Sequence, residues 1–144
     1  MKENFEDYCK SIDLTDPIIV RIRSVVDFFS VKLGITIEDI LITEYIKEDG
    51  GRVYESIWLF SDNYCMEAKS FLDNDDFDMV LHLNNMVYWS VKKQDFEFDT
   101  PNENSRLFIR AQTKNLVDLN LKASKNNCHY LKEIFLKYIL QNVS

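Results

Sequence analysis

Between residues 39 and 123 the chain lays down about seven short segments in which apolar and polar residues alternate, each bounded by turn residues. One amphipathic helix then closes it. Strands first and a single C-terminal helix last restrict the architecture without help from any catalytic motif. The expected fold is α+β: a bent seven-stranded antiparallel sheet or barrel, an N-terminal helix, and a C-terminal capping helix.

At 144 residues the chain has the size of one ordinary domain, enough to enclose most of its apolar side chains around one core. Hydrophobic residues at 46% and charged residues at 28% place it among globular rather than disordered sequences. The first eight residues are acidic and lack the apolar stretch of a secretory signal. The longest apolar runs, such as Ile18-Ile19-Val20, are too short to span a membrane. Cys9, Cys65 and Cys128 are odd in number and share no metal or redox spacing, which suits reduced thiols in a cytoplasm.

Residues 1–16 read as a polar N-terminal arm anchored by Phe5, Tyr8, Ile12 and Leu14. Asp16-Pro17 starts a helix over 17–34, Asp16 as cap and Pro17 where a missing donor costs nothing. Gly34 ends it in a left-handed conformation. Residues 35–124 hold the strands. Asp49-Gly50-Gly51 joins the first two as a tight hairpin. Phe77, Met79, Leu81 and Leu83 alternate cleanly against Asp78, Val80 and His82 in the fourth. The closing helix covers 125–143, with Cys128, Leu131, Phe135 and Tyr138 along its apolar stripe. Residues 1–144 thus read as a single domain.

In element order, residues 35–143 resemble the pleckstrin-homology-like superfold, a bent sheet of seven strands, four packed against three, plugged by a terminal helix. The helix at 17–34 would then be an N-terminal addition. Many members carry a tryptophan in the closing helix; here Phe135 and Tyr138 occupy it, and Trp58 and Trp89 lie on strands two and five. Lipid-binding members ring the first hairpin with basic residues. The corresponding stretch, Lys47-Glu48-Asp49-Gly50-Gly51-Arg52, interleaves two cations with two anions and makes a poor polyphosphate cradle.

Catalytic groups are hard to place. His82 sits in an alternating strand, on the expected solvent face. His129 follows Cys128 on a helix, where neighbours point about 100° apart and cannot form a nucleophile–base pair. Three glycines cannot build a phosphate loop, and no His/Cys set has zinc spacing. The tract Asp73, Asp75, Asp76 and Asp78 fails the calcium-loop pattern, since Phe77, Asp78 and Asn84 stand where a ligand, a glycine and a glutamate belong. These aspartates are instead a candidate interaction surface. No catalytic, cofactor or metal residue is assigned.

Charge is unevenly spread. Residues 1–105 carry 10 Lys/Arg and 22 Asp/Glu, a net of −12; residues 106–144 carry 7 and 2, a net of +5, which together give the overall −7. The ordinary account of Arg106, Arg110, Lys114, Lys122, Lys125, Lys132 and Lys137 is local neutralisation of carboxylates. An acidic balance disfavours nucleic acid or anionic membrane as the main target. The expected function is a cytoplasmic, non-enzymatic protein-interaction module with an acidic surface, of immunity or antitoxin type, meeting a basic protein partner. The alternative is a small-ligand or enzymatic cone-shaped pocket of the nuclear-transport-factor-two-like type.

Overall fold

The structure is a computed structural model that describes residues 5–61, 64–73, 79–83, 86–95, 97 and 100–140, with Tyr64 and 79–83 through their backbone alone. Helix α1 (Phe5–Ser11) precedes α2 (Asp16–Asp27), which runs on through a π-helical turn at Phe28–Lys32. The strands follow: β1 (Asp39–Ile46), β2 (Arg52–Phe60), β3 (Tyr64–Lys69), β4 (Met79–Leu83), β5 (Met86–Gln94), β6 (Arg106–Thr113) and β7 (Asp118–Ser124). Helix α3 (Asn127–Ile134) continues in a second π-helical turn, Phe135–Ile139.

Turn chemistry explains several boundaries. Gly50 takes φ +88° in the β1–β2 hairpin, where the Gly50 amide donates to the Lys47 carbonyl at 2.9 Å. Gly34, at φ +67°, ends α2, and the Ile35 amide reaches back to the Phe29 carbonyl at 3.0 Å. Pro17 lies in the first turn of α2, but Thr15 rather than Asp16 precedes the helix. The N-terminal arm contributes a full helix, which buries Tyr8 and Cys9.

The seven strands do not form one bent sheet or a barrel. They pair as two separate antiparallel sheets among the described residues, in the orders β1-β2-β3-β4 and β5-β6-β7. At the β1–β7 junction the physical reason lies at the outer edge of β1, which comes alongside β7. There the Ile42 amide donates to Tyr8 Oη at 2.8 Å, and the Ile42 carbonyl accepts from Asn127 Nδ2 at 2.7 Å. Glu44 Oε1 accepts from the Ser124 amide at 3.3 Å and from Ser124 Oγ at 2.9 Å. Groups that would ladder one strand to the next are thus satisfied by side chains, and buried backbone needs only one such partner. A polar plug replaces the ladder.

Strands β1, β2 and β3 are covered on both faces. Leu41, Trp58, Phe60 and Cys65 meet Leu107, Ile109, Leu119 and Leu121 of the second sheet, with Leu131, Phe135 and Tyr138 closing that core. Ile40, Ile42, Ile57, Leu59, Met66 and Ala68 face the opposite way, against Ile12, Leu14, Ile19, Ile22, Val25 and Phe29. Ile57-Trp58-Leu59-Phe60 is therefore buried without a break, as a strand between two layers must be. Lys137 fastens the closing helix to Asp39 at 2.9 Å, and Tyr138 Oη donates to the same carboxylate.

Candidate functional site

A β-bulge builds the site. Thr43 pairs with Ser56 and Glu44 with Tyr54, so Glu55 is an extra residue on β2 with no partner on β1. Bulges bend a strand and re-aim the surplus side chain. On the side facing β3 the Glu55 carbonyl accepts the Ser70 amide at 3.0 Å, one rung beyond the Ser56–Lys69 pair. That bond hangs the turn after β3 on the bulge, and the Asp73 amide then donates to the Ser70 carbonyl at 3.0 Å.

Around the bulge lies a cleft of about 520 Å³, where β1, β2 and β3 approach β6 and β7. Its carboxylates are Glu55, Glu67 and Asp73; its cations are Lys69 and Lys122. Glu67 sits deepest, its side chain only 13% exposed. Ser56 Oγ donates to Glu67 Oε2 at 2.7 Å, while Lys69 Nζ stays 3.9 Å from Oε1 on a side chain that is 55% exposed. Loss of solvent raises the Glu67 carboxyl pKa. The Ser56 hydrogen bond and the Lys69 charge pull the other way, and Glu55 adds to the rise. The chain thus keeps a carboxylate that is short of a close counter-charge and opens onto a cleft.

A pH-dependent result follows. Because the folded state holds the Glu67 proton more tightly than the unfolded state does, this stability is fully present below the unfolded pKa. It is lost as pH rises through the folded one. Glu67→Gln, which imitates the protonated form, should raise the urea midpoint near neutral pH and lose that advantage in acid. Urea curves of both proteins across a pH series check it; an advantage that grows on acidification would refute it.

Of the four aspartates singled out from sequence, Asp73 lies on the rim of this cleft. Asp75, Asp76 and Asp78 lie outside the described residues, as does the side chain of His82. Cys128 is fully buried in the core, whereas His129 points to Glu133 at 3.9 Å on a half-exposed face. Burial pushes the Cys9, Cys65 and Cys128 thiols up to about 12. Among the described residues no three His, Cys, Asp or Glu side chains converge on a metal position, and no helix is long and apolar enough to cross a membrane.

Glu55, Glu67 and Ser56 are site residues that sequence reading passes over, whereas Lys122 appears there only as one of the C-terminal cations. Glu67 shares a strand face with buried Cys65, the signal that it points inward. Comparison with protein-family models, curated proteins and solved structures finds no match to this chain.

Proposed function

We propose that this chain is a non-enzymatic interaction module whose acidic cleft receives a basic side chain of a partner protein. The observation that carries the reading is Glu67: a carboxylate withdrawn from water, its pKa raised, at the base of an open cleft that also presents Glu55 and Asp73. A lysine or arginine entering there would replace lost hydration with an opposite charge and offset the desolvation cost. The acidic balance of residues 1–105 would steer such a partner inward. The bulge and the Ser70–Asp73 turn hold the receiving groups in place beforehand, which lowers the entropy lost on binding.

Calorimetric titration with hexalysine at low salt tests the reading. Saturable binding is expected, strengthening as pH rises through the Glu67 titration. Glu67→Gln should weaken it about tenfold, in line with loss of one charge-assisted hydrogen bond. Unsaturable binding, or a variant that binds hexalysine as well as wild type, would sink it.

A second reading, a small cationic metabolite in the same cleft, is favoured by its volume of about 520 Å³, which lies within the range of ligand pockets. Thermal-shift measurements with free amines separate the two.

A further inference from the structure

Three of the seven basic residues of the C-terminal part, Arg106, Arg110 and Lys122, share one sheet face, and Lys92 joins them there. Register sets Lys92, Phe108 and Lys122 side by side across β5, β6 and β7, with Arg106 and Arg110 flanking Phe108 on the same side. The alternate residues Leu107, Ile109, Leu121 and Ala123 are buried, so these cations occupy the outward face. At ordinary strand spacing the Lys92 and Lys122 backbones stand about 10 Å apart, with the phenyl ring between them. Lys122 is held by two rings: its Nζ lies 5.6 Å from the Tyr45 centroid and 5.7 Å from that of Phe108.

Neutralisation here is incomplete. Lys122 Nζ has Glu55 at 3.7 Å, but among the described residues Lys92, Arg106 and Arg110 have no carboxylate within 4 Å. Arg106 Nη1 donates to the carbonyls of Glu103 (3.1 Å) and Ser105 (2.7 Å), which fix the guanidinium without cancelling its charge. A second cleft, of about 330 Å³, opens against this face; its charged lining is Lys92, Lys93, Arg106 and Lys122, with Glu44, already paired with Arg52, as its carboxylate. It shares Tyr45, Phe108 and Lys122 with the acidic cleft. The two form one trough, anionic at one end and cationic at the other.

We propose that the cationic end binds carboxylates of an acidic stretch in the same partner segment whose basic residues enter the acidic end. This deepens the reading above and rests on it: the recognised segment carries a basic block followed or preceded by an acidic block. A polyanion of uniform charge fits less well. It would run from Lys92 and Arg106 past Lys122 onto Glu55, Glu67 and Asp73. A segment of mixed charge meets its complement at both ends and rejects single-sign competitors by repulsion.

The test compares a tetralysine–tetraglutamate block peptide with tetralysine–tetraglycine at low salt, on the full chain. The block peptide should bind about tenfold tighter or better, since its second half binds at high effective concentration. The double variant Lys92→Glu with Arg106→Glu should lose that gain yet bind tetralysine–tetraglycine at least as tightly as wild type, since it removes cations near the acidic cleft. An unchanged urea midpoint shows that it folds. If tetralysine–tetraglycine binds and the block peptide is no tighter, the inference fails while the proposed function stands. If hexaglutamate binds and tetralysine–tetraglycine does not, the acidic cleft is idle and the proposed function falls. Tighter binding of oligodeoxythymidylate than of the block peptide would overturn the inference in favour of a nucleic-acid surface.

Discussion

Glu44→Ala should lower stability by about 3–5 kcal/mol, the usual loss when one member of a buried ion pair is removed. Glu44 is 1% exposed on an interior edge of β1. Its carboxylate accepts from Arg52 Nε and, at 2.8 Å, from Arg52 Nη2, while Arg52 Nη1 donates to the Ile12 carbonyl at 2.6 Å. The same carboxylate receives Ser124 through its amide and hydroxyl. Burial alone would lower the Arg52 pKa; the hydrogen bond and charge of Glu44 more than reverse this, so the net shift is upward. Alanine would leave a guanidinium whose side chain is 14% exposed beside a hole, with donors from β7 and α3 deprived of their acceptor. The thermal midpoint should fall by about 10 °C or more. Glu44→Gln, which keeps the shape, should cost less, about 1–3 kcal/mol. The double variant Glu44→Leu with Arg52→Leu should recover much of what Glu44→Leu loses, because two well-packed apolar groups can replace a buried pair. A loss below about 1 kcal/mol for Glu44→Ala would refute the plug as the junction between the sheets.

That junction also marks where sequence reading ran out. Local signals were legible: the Asp49-Gly50-Gly51 hairpin, the left-handed Gly34, and the period-two segments that became β6 and β7 all depend on neighbours a few residues away. Sheet partition does not. Tyr8 and Asn127 meet across 119 residues, and Asn127 reaches Ile42 across 85, so each looks like an ordinary polar residue in its own segment. Nothing local announces that β1 and β7 will be joined by side chains rather than by a ladder. The acidic cleft failed for a similar reason. The Glu55 bulge exists only against the register of β1, and Glu67 becomes informative only once Cys65 is known to face a core. Charge asymmetry was visible from composition. Its resolution into a trough with opposite ends required the registers of β5, β6 and β7.

A chain beginning at Ile35 should not fold to a monomer at all, although strand order alone makes residues 17–34 look like an addition to a complete sheet. Removing α1 and α2 would uncover Ile40, Ile42, Ile57, Leu59, Met66 and Ala68, a continuous apolar face on the four-stranded sheet. Tyr8, Ile12, Leu14, Ile19, Ile22, Val25, Val26 and Phe29 would go with them, each contributing roughly 1.5–3 kcal/mol by burial. Even after the entropy of ordering those residues is deducted, the loss is large against a net stability of about 5–15 kcal/mol. The polar plug would fail as well, because Tyr8 supplies the partner of the Ile42 amide and Ile12 the carbonyl for Arg52. Freed at that edge, β1 would present unpaired backbone beside an apolar face, which is the arrangement that favours strand-to-strand aggregation. Size-exclusion chromatography and near-ultraviolet circular dichroism of the truncated chain provide the measurement. Aggregated or loosely packed material that binds a hydrophobic dye is expected. A soluble monomer with a cooperative transition near that of the full chain would show instead that the second sheet and α3 suffice, and that the N-terminal helices are indeed an accessory layer.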